Sequence, residues 1–156
     1  MSDVLVDLER VRERLLGAWT LVRWQIEIDG RPSQQPFGED ATGLIVYSAD
    51  GWMNATIARA GRAPLSATSV RQVPLDEQGA AFESYFNYAG PFSFEAIDGV
   101  PHVRHEVRWS LNPGFVGTTQ LRRIAFDGSA RLSLSADEPV GNTVRRHRLA
   151  WHRAAR

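Results

Sequence analysis

Four Asp-Gly dipeptides, at residues 29–30, 50–51, 98–99 and 127–128, constrain this chain more than any other feature. Each lies at the end of a segment whose apolar residues recur with period two, and Asp-Gly between such segments is the signature of a tight β-hairpin. The stretch "PHVRHEVRWSL" (residues 101–111) shows the rhythm, with Val103, His105, Val107, Trp109 and Leu111 on one side and Arg104, Glu106, Arg108 and Ser110 on the other. Segments of this kind run over 18–28, 43–49, 52–59, 91–97, 100–111, 117–126, 130–136 and 143–153. Direct reversals make consecutive strands antiparallel neighbours. Eight such strands are expected to close into an up-and-down barrel, because closure removes exposed sheet edges.

Two segments depart from the rhythm. "SDVLVDLERVRERLL" repeats Val4, Leu8, Val11 and Leu15 at helical spacing, so an N-terminal amphipathic helix is expected, with Ser2 as its cap. Residues 60–74 are rich in Ala, Gly, Ser and Pro and read as a loop; "LDEQGAAFESYFNYAG" is expected to form a short internal helix capped by Asp76 and ending near Gly90. A long non-hairpin connection of this kind serves as a lid or a plug. Phe82 and Phe86 are read as the plug and Tyr88 as a cavity contact. The 156 residues suit a single domain, residues 1–156.

Composition excludes several chemistries. All 18 basic residues are Arg, so a lysine Schiff base is impossible, and the lack of Cys removes thiolate catalysis, zinc-thiolate sites and disulfides. Net charge is zero, which argues against nucleic acid and anionic membrane as partners. Residues 1–100 carry 8 Arg against 14 acidic residues and 101–156 carry 10 against 4; in one interleaved sheet this asymmetry becomes local charge ladders. No apolar run spans a membrane or forms a signal-peptide core, and a cytoplasmic protein is expected. No nucleophile elbow, Gly-rich nucleotide loop or metal-ligand cluster is present, so no cofactor and no metal are expected.

The segments "LLGAWTLVRWQIE", "PFGEDATGLIVYSADGWMNATI", "YAGPF", "SLNPGFVGTTQLRRIAF" and "RLAWHR" together resemble the bacterial lipocalin-like domain family, in their order and spacing over residues 15–153. The resemblance implies an all-β fold: an eight-stranded antiparallel lipocalin-like barrel, a small calycin-type barrel, closed at one end by the N-terminal helix and enclosing a cavity. It further implies that Trp19 meets Trp151 and Arg153 where the first and last strands join, a structural contact. It leaves the chemistry open, since such barrels include carriers as well as cyclases and isomerases.

Period two nominates the cavity walls: Tyr47, Met53, Ala55 and Ile57 on one hairpin, Phe92 and Phe94 on a later strand, and Val107 and Trp109 on its partner, with Tyr88 beside them. These side chains leave room for a ligand or interdigitate completely. His105 is the one titratable group on its apolar face. Gln120 and Arg122 occupy the family's Q-x-R positions, and His147 shares a face with Leu149 and Trp151. Inward-facing, these polar groups converge in an apolar cavity, where each needs a partner, a ligand or a chemical role. His105, Arg122 and His147 are therefore the candidate catalytic residues, and Gln120 a ligand contact; ligand orientation or a satisfied core position are the alternatives for His105. Two functions follow. One is a cofactor-independent cyclase or isomerase of natural-product-like metabolism; the other is a non-catalytic carrier of a similar hydrophobic molecule. The expected partner is a small hydrophobic molecule, with a homodimer also compatible.

Overall fold

The computed structural model describes residues 5–155. Its elements are α1 (Leu8–Leu15), β1 (Gly17–Ile28), β2 (Arg31–Gln34), β3 (Thr42–Tyr47), β4 (Trp52–Ala58), α2 (Leu75–Glu83), β5 (Tyr85–Ile97), β6 (Val100–Glu106), β7 (Trp109–Ser110), β8 (Thr119–Asp127), β9 (Arg131–Val140) and β10 (Thr143–Arg153). Hydrogen bonding runs β10-β9-β8-β6-β5-β4-β3-β1, and β10 pairs back onto β1, so eight antiparallel strands close a barrel. The short β2 extends beside the far end of β1, and β7 pairs with β5. All four Asp-Gly dipeptides turn a hairpin. At Asp29-Gly30 and Asp98-Gly99 both residues have positive φ, the geometry whose twist matches that of the flanking strands. No helix among the described residues is long and apolar enough to cross a membrane.

The seam between β1 and β10 runs from Trp19↔Arg153 to Ile28↔Arg145. Trp19 is fully buried, its Nε1 donates to Leu15 O at 2.8 Å, and the Arg153 guanidinium lies 3.8 Å above its ring. Arg153 also donates to Leu16 O and Arg14 O, both at 2.7 Å, satisfying carbonyls where α1 runs out of helical partners. Arg12 reaches Ala49 O in the β3–β4 turn, and Arg14 reaches Gly128 O in the β8–β9 turn while covering Phe126 at 4.2 Å. The helix is thus fastened over the end of the barrel where these turns lie. Charge ladders across the outer face join the acidic and basic halves of the chain, as in Glu95–Arg104 (2.8 Å) and Glu27–Arg148 (3.0 Å).

Four expectations are corrected. The first helix is capped by Asp7, whose carboxylate accepts from Arg10 N at 3.2 Å; Ser2 and Val4 lie outside the described residues. The second helix ends at Glu83, eight residues after Leu75 begins it, and Asp76 sits in its first turn rather than at the cap. "YFNYAG" belongs to β5, whose aromatics alternate across a sheet instead of ringing a helix, and Phe82 is half exposed rather than a plug. On β1 the alternation breaks at Val22: Leu21↔Trp151 is followed by Arg23↔Ala150, so one extra residue bulges and Trp24, not Arg23, turns inward.

The fourth correction concerns the 101–111 stretch. Between the pairs Ala89↔Trp109 and Phe92↔His105, three steps on β5 face four on the opposing segment. The extra residue reverses the phase, and Trp109, expected inward, is 61% exposed and packs on Trp52 outside the barrel. Leu111 is likewise exposed. Gly90 lies opposite this bulge, where a Cβ would stand 1.8 Å from Glu106 O. Gly90→Ala is accordingly expected to cost about 3 kcal/mol, the upper part of the overpacking range, in urea unfolding. An unchanged unfolding midpoint would contradict this close approach.

Candidate functional site

Side chains fill the helix-capped half of the barrel and leave the other half open. Leu15, Trp19, Met53, Phe92, Val103 and Leu132 belong to the packed core. A cavity of about 640 Å³ occupies the opposite half, walled by Trp24, Ile57, Phe86, Phe115, Leu134 and Leu149, with Ile45, Ala55 and Trp151 also on its surface. Phe115 comes from a single helical turn, Pro113–Phe115, in the connection between β7 and β8. It stacks on Tyr88 (6.5 Å) and meets Phe86 edge-on (5.8 Å), closing one side of the cavity.

Seven of the residues expected from the sequence line this space: Ala55, Ile57, Tyr88, His105, Gln120, Arg122 and His147. Six do not. Tyr47, Met53, Phe92 and Phe94 pack in or against the core, with Phe92 edge-on between Tyr47 (5.1 Å) and Phe94 (5.7 Å). Val107 is buried at the bulge, where its backbone pairs with Thr118 and Gly117. Trp109 is outside. Trp24, Phe86 and Phe115 are walls that the sequence reading did not assign to the cavity. The Val22 bulge hides Trp24, the reassigned strand hides Phe86, and Phe115 lies in an irregular connection with no period to read.

The polar centre of the site is a buried chain of three side chains. Tyr47 Oη lies 2.8 Å from His105 Nε2, and Tyr88 Oη lies 2.6 Å from His105 Nδ1. Burial holds the imidazole neutral, lowering its pKa from 6.5 to about 3, with the Arg122 charge acting in the same direction. A neutral imidazole has one donor and one acceptor nitrogen, so the two tyrosines cannot play the same part. Tyr47 is in the core and has no other hydrogen-bond partner among the described residues. Were it to accept from His105, its own hydrogen would be buried unpaired, which costs about 1–3 kcal/mol. Tyr47 therefore donates to Nε2, and Nδ1–H donates to Tyr88. The Tyr88 oxygen is held in place while its own hydrogen remains available to the cavity. Burial also raises both tyrosine pKa values, Tyr88 pushing Tyr47 further up and Arg122 pulling both back, so the hydroxyls stay protonated at neutral pH.

The remaining polar residues are more heavily engaged. His147 Nδ1 accepts from Trp24 Nε1 at 3.3 Å, which leaves its Nε2 to donate to Glu138 at 3.3 Å. Asp137 accepts twice from Arg146, at 2.7 and 3.0 Å, and this hydrogen bond holds its carboxyl below the usual carboxylate range. Gln120 Nε2 donates to Thr118 Oγ1 at 2.9 Å.

The family model described as a lipocalin-like domain matches residues 16–154. The chain belongs to this family. No curated protein matches it. Within this lipocalin-like barrel, Tyr47, Tyr88 and His105 come from β3, β5 and β6, and the barrel brings them together across 58 residues of chain.

His105 makes acid a specific threat to the fold. Folded, it takes no proton until pH falls to about 3, whereas in the unfolded chain it does so near pH 6.5. Its contribution is thus complete above about pH 6.5 and is lost as pH falls from there toward 3, at up to about 1.4 kcal/mol per pH unit. Urea unfolding at about pH 7, 6, 5 and 4 is expected to show His105→Asn losing less stability than the parent over this window. Parallel profiles would remove His105 as a source of acid sensitivity.

Proposed function

We propose that this lipocalin-like barrel binds a small, mostly apolar molecule in its open half and holds one of that molecule's oxygen atoms against the Tyr88 hydroxyl. The carrying observation is that hydroxyl: its oxygen lies 2.6 Å from His105 Nδ1 in a cavity walled mostly by aromatic and aliphatic side chains, and with Nδ1–H as the donor its own hydrogen has no acceptor among the described residues. A pre-positioned donor gives a ligand oxygen its orientation with little reorganisation cost. The cavity volume of about 640 Å³ suits a ligand of drug-like size. The whole chain serves as one domain in this reading.

Catalysis is the second reading, favoured by the same geometry. A cofactor-independent cyclase or isomerase needs donors fixed where oxyanion charge develops, and Tyr88 and Arg122 both line the cavity. In such a reaction Tyr88 meets the substrate. His105, neutral and engaged at both nitrogens, acts as a positioning residue rather than the proton carrier, and His147 stands between Trp24 and Glu138 as part of the wall.

Native mass spectrometry of the purified protein is expected to reveal a co-purifying small molecule, displaced in the presence of excess apolar competitor. Tyr88→Phe is expected to weaken that ligand about tenfold, equivalent to one hydrogen bond of about 1.4 kcal/mol. It is also expected to lower stability, since it takes the acceptor oxygen away from His105 Nδ1. Retention of full affinity by a folded Tyr88→Phe variant would refute the proposed contact. For the second reading, the bound compound should be returned chemically altered, and Arg122→Ala should abolish conversion while binding stays within about tenfold. Unaltered return of every bound compound leaves a carrier.

A further inference from the structure

The cavity's polar groups are unbalanced. Its acceptors are largely engaged: Asp137 by Arg146 at both oxygens, Glu138 Oε2 by His147, His147 Nδ1 by Trp24, and Gln120 Oε1 by Arg122 at 3.3 Å. Deeper in the cavity the open groups are donors. They are the Tyr88 O–H, the Trp151 indole N–H, which is buried without a partner, and most of the Arg122 guanidinium.

Arg122 is the arginine that lines this cavity. Arg104, Arg146 and Arg148 each pair with a carboxylate. Among the described residues Arg122 pairs with none. Its Nη1 donates to Leu121 O at 2.9 Å and its Nη2 to Gln120 Oε1, both neutral groups. A guanidinium carries five N–H donors and keeps its charge, so Arg122 retains donors and a charge that no directly paired carboxylate engages. Its influence reaches the buried chain, where it lowers the pKa values of Tyr47, Tyr88 and His105 together.

We propose that the ligand of this cavity carries a carboxylate, seated on Arg122 with the Tyr88 hydroxyl as a further donor, its apolar remainder lying along Ile57, Phe86, Phe115 and Leu134. The inference deepens the binding reading above and rests on it. The planar guanidinium fork matches two carboxylate oxygens, which a single carbonyl or hydroxyl does not use. A ligand amine seated there would instead bring a second positive charge against Arg122. Asp137 and Glu138 also line the cavity; Arg146 neutralises Asp137, and the Glu138 side chain is 56% exposed at the rim, where water and salt screen its charge.

The test uses three soluble probes with one apolar tail: an ω-phenylhexanoic acid, its primary amide and the corresponding amine. Calorimetric titration of the full chain is expected to give the acid about tenfold or more tighter binding than the amide, and no binding of the amine. The advantage of the acid should shrink as salt is raised. Arg122→Gln should abolish that advantage while leaving the amide's affinity within about threefold, and Arg122→Lys should restore part of it. Amide and acid binding the parent equally would overturn the carboxylate proposal while leaving apolar binding intact. If acid, amide and amine all fail to bind, the cavity reading falls and the proposal with it. Should Arg122→Gln not fold, the acid-to-amide ratio of the parent and its salt dependence decide the matter.

Discussion

Closure of the barrel between β1 and β10 is the constraint on which the rest of this structure depends. A sheet of these strands left open would expose two unpaired edges, and its inner face would have nothing to pack against. The seam is joined to the helix by Arg153, which lies over Trp19 and donates to Leu16 O and Arg14 O, and by Trp19 Nε1, which donates to Leu15 O. Closure and capping are therefore coupled. The helix end of the barrel fills with Leu15, Trp19 and Tyr47, and the space that side chains do not fill is left at the opposite end.

At the boundary between packed core and open cavity stands His105. Its burial is tolerable because both nitrogens have partners, and those partners differ in kind. Tyr47 looks back into the core, whereas Tyr88 looks into the cavity. A satisfied core histidine and a ligand-orienting histidine, alternatives when only the sequence is considered, become one arrangement: the polar chain meets its own hydrogen-bonding needs and leaves a single O–H directed outward from it.

Much of the architecture was legible in the sequence. Asp-Gly turns between period-two segments lead to the eight closing strands, and the resemblance of "LLGAWTLVRWQIE" and "RLAWHR" to a lipocalin-like barrel implies the contact of Trp19 with Arg153. Inward positions on regular strands were also readable, which is why Ala55, Ile57, His105, Arg122 and His147 were found. The misplacements share a cause. Alternation alone turns Trp109 inward and gives no sign of Trp24, because each lies just past a bulge, and a bulge is a mismatch between two strands that neither strand shows alone. Tyr85 to Tyr88 followed a good helix start without a break in composition, and only pairing with β4 decides for the strand there.

The sequence by itself determined which residues could sit on an apolar face, where the chain reverses, and which chemistries are absent for want of Lys and Cys. Tertiary structure alone decided which half of the barrel is filled, which tyrosines hold His105, and that Arg122 lacks a carboxylate. The physical reason is range. Turn chemistry and side-chain alternation act between neighbours along the chain, whereas the site depends on the register of strands that are distant in sequence, and one extra residue in a pairing turns every following side chain to the other face.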